Sequence, residues 1–158
     1  FAYMERCVGP DRPKKAHPAI KSAIQEALKH TDGLPLLAGG KSYGGRMTSQ
    51  VAALGELESV TGIVYYGFPL HAPGKDGAER AAHLKDIGIP QLFLQGTRDK
   101  LARIDLINEV CDGLDTATLV IMEGGDHSFK TLKKSGVTHE EMIARLTEET
   151  GKFVERII

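Results

Sequence analysis

Apolar residues at Ile20, Ala23, Ile24, Ala27 and Leu28 recur at the spacing of one buried helix face, opened by Pro18 and closed by Thr31-Asp32-Gly33. A helix is predicted there. The apolar run at 34–39 reads as a short strand, and 43–55 as a helix with Met47, Val51 and Leu54 turned inward. A β-branched and aromatic strand follows at 60–66 and ends in the loop 67–74, rich in glycine and proline. A polar helix near 78–86 leads to a third strand at 90–95 and the turn Gly96-Thr97-Arg98-Asp99. Helix 101–112 comes next, then a fourth strand at 117–122, which ends in Glu123-Gly124-Gly125-Asp126-His127. Thr138 and Glu141 stand at the N-cap and N3 positions of a capping box, and the helix they open turns Met142, Leu146, Phe153 and Ile157 inward.

Strands alternating with helices imply right-handed crossovers, so the expected class is α/β: a three-layer α/β/α sandwich with a mostly parallel sheet. At 158 residues, the span 1–158 is the size of one domain. Ligands of such sheets sit beyond the carboxyl ends of the strands. Ser42, Asp99 and His127 each fall in a loop just past such an end.

Gly40-Lys41-Ser42-Tyr43-Gly44 follows an apolar run and leads into a helical pattern, the context that a G-x-S-x-G nucleophile elbow demands. The serine of an elbow holds a sparsely populated backbone conformation, costing about 1–3 kcal/mol. Side chains at Gly40 or Gly44 are expected to strike the neighbouring strand or helix, and Gly45 to allow still closer approach. A serine hydroxyl attacks a carbonyl at neutral pH only if a base takes its proton, and a carboxylate must orient an imidazole that does so.

Of six histidines, His17, His30, His83 and His139 lie on or at the ends of predicted helices and are expected in solvent. His71 and His127 lie in post-strand loops. Only His127 gives the chain order Ser, Asp, His. Asp99 is preferred as the acid, because the carboxylate of Asp126 adjoins the histidine too closely to face its Nδ1; Asp126 is the fallback. The N–H of Tyr43, at the start of the helix, is the expected oxyanion donor. A second donor normally comes from a loop after an earlier strand, and no His-Gly or Gly-Gly loop precedes the elbow.

The formal net charge is −1 with charges scattered along the chain, which gives no footprint for nucleic acid or an anionic membrane. No apolar stretch approaches the ~20 residues of a membrane span, and no secretory signal opens the chain, so it reads as cytoplasmic. Cys7 and Cys111 make no disulfide framework or metal motif, and Cys111 shares an apolar stripe with Ile104, Ile107 and Val110. Gly40-Lys41-Ser42 also matches the end of a phosphate-binding loop, but Pro35 stands where that motif needs its first glycine. Neither a metal nor an organic cofactor is called for. The expected ligand is a small acyl molecule. Tyr43, Phe68, Leu70 and Phe129 are candidates for a partly apolar mouth, and Lys41, Arg46 and Lys75 for attraction of an acidic group.

Taken together, GGKSYGG, GFPLHAPGK, LFLQGTRD and EGGDHSF make the chain resemble the C-terminal two-thirds of an α/β-hydrolase. The resemblance is strongest to the small dienelactone-hydrolase-like group that includes the testis-expressed protein thirty and the third subunit of the non-specific-lethal complex. It implies Ser42 as nucleophile, Asp99 as acid, His127 as base, and the 68–75 loop, with Phe68, Leu70 and His71, as a wall of the substrate cleft. It also implies that the first strands of the fold and a His-Gly-rich oxyanion loop belong upstream of Phe1, a strand-like start that is not a methionine. The reaction implied is hydrolysis of a carboxylic ester or lactone; the rival reading is a non-catalytic binding module on the same fold. An incomplete sheet leaves an edge strand able to pair with a second copy in a homo-oligomer.

Overall fold

The apolar runs form four strands, β1 (Leu37–Lys41), β2 (Gly62–Tyr66), β3 (Gln91–Gly96) and β4 (Ala117–Met122), hydrogen-bonded in that order. Every pairing is parallel. The computed structural model describes residues 11–158, so Cys7 and the strand-like start expected at 1–4 lie outside the described residues. Parallel strands need crossovers, and α2 (Tyr43–Ala53) and α3 (Ile104–Asp112) supply two of them. The other elements are α1 (Pro13–Leu28), which precedes β1, and α4 (His139–Ile157), which closes the chain.

Side chains alternate across the sheet, and the two faces bury different sets. Ile63, Tyr65 and Phe93 pack with Val51 of α2 and with Ile107 and Cys111 of α3. Val64, Leu92, Leu94 and Met122 pack with Met142, Leu146 and Phe153 of α4. The architecture is therefore the expected three-layer α/β sandwich. Tyr65, Phe68 and Phe93 stack in a cluster with ring centroids 4.5 to 5.9 Å apart. Each such ring, once buried, contributes about 1.5–3 kcal/mol. Burial pushes the Cys111 thiol up to about 12, helped by Asp112.

Several boundaries differ from the sequence reading. Helix α1 starts at Pro13, whose missing N–H costs nothing in a first turn, and Pro18 lies inside the helix. Ala23 is exposed, because α1 meets the core only along Ile20 and Ile24. Strand β1 begins at Leu37 rather than 34 and runs to the residue before Ser42. Leu54 caps α2 instead of packing inward, since the helix stops at Ala53. The segment near 78–86 forms two 3-10 turns, Glu79–Ala81 and Leu84–Asp86, and only Ala81 and Leu84 are buried in them. The capping box of α4 forms as expected: Glu141 N–H donates to Thr138 Oγ1 at 3.1 Å, and Thr138 N–H to Glu141 Oε2 at 2.7 Å. Among the described residues no helix is long and apolar enough to cross a membrane.

Candidate active site

Ser42 occupies the single residue between β1 and α2, with φ 52° and ψ −118°. Its N–H donates to the Tyr66 carbonyl at 3.1 Å, which anchors the turn to the end of β2. A Cβ on Gly40 would lie 2.9 Å from Gly45 N, and one on Gly45 would lie 2.6 Å from Gly40 O. Strand and helix therefore meet backbone to backbone. The clash expected at Gly44 is absent, since a Cβ there meets nothing within 4 Å. Close packing is carried by Gly40 and Gly45.

Three post-strand loops converge on this turn. His127 Nε2 lies 2.7 Å from Ser42 Oγ, and His127 Nδ1 lies 2.7 Å from Asp99 Oδ2. The Asp99 side chain has no solvent exposure, whereas that of His127 keeps 25%. Backbone donors shape the Asp99 turn: Asp99 N–H reaches Gly96 O at 3.2 Å, and Leu101 N–H reaches Asp99 Oδ1 at 2.8 Å. Gly96 lets the loop of Asp99 touch the loop of His127, because a Cβ there would come 2.7 Å from the Gly125 carbonyl carbon. Gly67, with φ +70°, keeps the space beside the pair open: a Cβ there would stand 3.4 Å from Asp99 Oδ2 and 3.5 Å from His127 Nδ1.

Gln95 was missed in the sequence reading. It is fully buried, donates from Nε2 to Asp99 Oδ2 at 2.7 Å, and accepts the Phe68 N–H at Oε1 at 2.9 Å. A glutamine inside the apolar run of β3 is a signal in itself, since a buried amide must find partners.

Asp126, the fallback acid, serves its own loop instead. Its Oδ1 accepts from Ser128 N–H at 2.8 Å and Lys130 N–H at 2.9 Å. Partial burial works against its charge, but those donors, with Arg98 and Lys130 nearby, hold the carboxyl below its usual range.

As the first residue of α2, Tyr43 has an N–H with no partner inside its own helix, and it adjoins Ser42. Its hydroxyl donates to the Asp11 carbonyl, and burial followed by Asp11 raises the phenol.

The cleft wall expected from Phe68, Leu70 and His71 is a correction: they are 1%, 0% and 5% exposed. Phe68 turns back onto Tyr65 and Phe93. His71 Nε2 accepts the Arg103 N–H at 3.3 Å, leaving Nδ1 to donate to the Ala72 carbonyl at 3.0 Å. These side chains hold the loop in place and offer no open surface. Phe129, another candidate for the mouth, is buried as well.

Two histidines expected in solvent are also half-buried. His17 bonds Gln50 Oε1 at 3.1 Å, and His83 Nε2 lies 2.7 Å from Ser49 Oγ. Burial, then Arg46, lowers His83. Arg46 itself is lowered by burial and by Arg80, and Lys75 is exposed. Lys41 Nζ donates to Ser128 Oγ at 3.0 Å, and the two flank a groove of about 340 Å³ that includes Tyr66, Phe129, Ile143 and Leu146. Among the described residues no group of three or more His, Cys, Asp or Glu is arranged to hold a metal ion.

A family model described as "Alpha/beta hydrolase domain" matches residues 1–155. The chain belongs to the alpha/beta hydrolase domain family. Similar solved structures agree on the fold of this hydrolase-family chain. An alpha-beta serine hydrolase homologue from Coxiella burnetii is 19% identical with a TM-score of 0.67, over 97% of this chain and 66% of that one. An α/β serine hydrolase without a lid from Xanthomonas campestris is also 19% identical with a TM-score of 0.67, over 96% and 61%. A Klebsiella pneumoniae protein provisionally named a dienelactone hydrolase is 20% identical with a TM-score of 0.63, over 85% and 59%. This hydrolase-family chain thus spans about three-fifths to two-thirds of the length of these structures. No curated protein matches it.

Proposed function

We propose that this chain carries the catalytic centre of a serine hydrolase acting on a small acyl substrate, a carboxylic ester or lactone. The observation that supports it is the unbroken chain of contacts from Ser42 through His127 to Asp99, 2.7 Å at each step. Ser42 Oγ attacks the acyl carbon while His127 Nε2 takes its proton; the oxyanion meets the N–H of Tyr43. Collapse breaks the bond to the leaving oxygen, which receives that proton from His127, and leaves the acyl group on Ser42. Water then attacks, gives a proton to His127, and the acid departs as Ser42 recovers its proton. Asp99 stabilises the imidazolium throughout.

The dienelactone-hydrolase-like group that includes the testis-expressed protein thirty is the proposed subgroup, and the cytoplasm the proposed location. No cofactor enters the proposed reaction. Lys41, beside the groove, is the proposed attractor for an acidic arm of the substrate. The open side of β1, which pairs only with β2 among the described residues, is the proposed edge for a second copy.

A fluorophosphonate probe tests the central reading, because only an activated serine is labelled. Labelling at Ser42, with a loss of at least ~10³ in kcat for p-nitrophenyl acetate in Ser42→Ala, is the expected result. The rival binding-module reading draws on the single oxyanion donor among the described residues, Tyr43 N–H. An unlabelled Ser42 would favour it.

A further inference from the structure

Asp99 Oδ2 faces two donors, His127 Nδ1 and Gln95 Nε2, each at 2.7 Å. Asp99 Oδ1 faces a third, the Leu101 N–H. The carboxylate is sealed from solvent, so its charge depends on these donors. Gln95 is sealed as well, and its other end is committed to the Phe68 N–H. Only one amide orientation satisfies both partners, because an N–H needs the carbonyl and a carboxylate needs the NH₂. The side chain is thereby locked at both ends, and it ties the loop after β2 to the acid after β3.

Resting on the hydrolase reading above, we propose that Gln95 is a positioning residue of this centre. It sets the rotation of the Asp99 carboxylate and, by sharing Oδ2, moderates the bond from Asp99 to His127. Two consequences differ from those of a merely structural residue. Without the Gln95 donor the carboxylate turns more freely, which lowers kcat and leaves KM unchanged. The charge on Oδ2 is also then answered by His127 alone, which favours the protonated ring and moves the acid limb of the kcat/KM profile to higher pH.

Gln95→Met keeps the bulk and removes both bonds. The expected result is a kcat about 10- to 100-fold lower with KM within about two-fold, and an acid limb at higher pH. A profile that overlays the parent's would overturn the proposal. Gln95→Glu keeps the shape, and the neighbouring charge of Asp99 favours its protonated form, which can donate an O–H to Oδ2. That variant should recover most activity on the acid side and lose it as pH rises, opposite to the parent. Loss as deep as that of Gln95→Met at every pH would overturn the donor role.

Should Gln95→Met fail to fold, the pH dependence of Gln95→Glu still decides. If the parent is neither labelled nor active, the hydrolase reading fails on its own, and an NMR titration of the His127 ring judges Gln95. A higher midpoint in Gln95→Met than in the parent supports its role, and an unchanged midpoint overturns it.

Discussion

Arg98, in the loop that carries Asp99, donates from Nη1 to the Lys130 carbonyl at 3.3 Å, beyond His127 in the opposite loop. The same nitrogen reaches Gly124 O at 3.1 Å, and the Arg98 N–H reaches Gly125 O at 2.9 Å. Thr97 Oγ1 adds a fourth stitch by accepting the Gly124 N–H at 2.8 Å. The loop of His127 is thus clasped on both sides of that residue by the turn that carries Asp99. The two side-chain contacts of Arg98 are exposed and each adds only about 0.5–1.5 kcal/mol to stability, but with the others they define where the imidazole stands. Arg98→Met should lower the melting temperature by only a few degrees and lower kcat about ten-fold at constant KM. Steady-state kinetics on a folded variant checks this, and an unchanged kcat would assign the clasp to Thr97 and the glycines.

Ser42 holds φ 52°, which a residue with a Cβ adopts at a cost of about 1–3 kcal/mol. Glycine escapes that cost at positive φ, though it also gives the unfolded chain more freedom. Ser42→Gly should therefore come out more stable than the parent by about 1 kcal/mol, a rise of about 2–4 °C in Tm, while activity disappears. Thermal melts of Ser42→Gly beside Ser42→Ala separate strain from the lost hydroxyl. A Tm for Ser42→Gly below that of Ser42→Ala would show that the elbow is unstrained.

Asp99, bonded to the His127 ring, and Asp126, the residue before it in the chain, have opposite expected phenotypes. Asp99→Asn replaces the carboxylate that receives His127 Nδ1, and should cost on the order of 10³–10⁴ in kcat. Asp126→Asn should act mainly on stability. The Asp126 carboxyl is held low in the folded state, so its contribution is present above the unfolded value of about 4 and fades as pH falls through the lower folded value. Denaturant titrations at neutral pH and near pH 3 should show the gap between parent and Asp126→Asn shrinking in acid. A large kcat loss in Asp126→Asn with normal stability would return it to the acid's role.

The sheet was legible because β2 and β3 are apolar runs buried on both faces and bounded by turn residues, a pattern with few other solutions. Ser42, Asp99 and His127 were legible as positions for a related reason: each follows a strand end, and parallel strands deliver their ends to one edge. Gln95 was not, because its partner depends on which face of β3 it takes and on how the next turn folds back. Phe68 and Leu70 misled because post-strand loops usually run over the surface. Here Tyr65 and Phe93 offer an aromatic seat that draws Phe68 inward. Pro18 misled because Pro13 stands five residues earlier in a polar stretch, where no apolar period marks the helix start. The 78–86 segment has too few inward positions to distinguish an α-helix from two tight turns.

His83 ties the 3-10 segment to α2 through Ser49, and its surroundings make acid disruptive. Burial and then Arg46 lower the ring, with His17 adding to them and Asp86 opposing. A lowered histidine stays uncharged in the folded state at pH values where the unfolded chain already binds a proton. Stability should therefore decline as pH falls below the unfolded value of about 6.5, and level off once the folded ring also protonates. His83→Gln keeps a hydrogen-bonding group toward Ser49 without the titration. Denaturant melts between about pH 8 and pH 5 should show a steeper loss in the parent than in His83→Gln. Parallel curves would mean that the ring accepts its proton in place, with Asp86 outweighing Arg46.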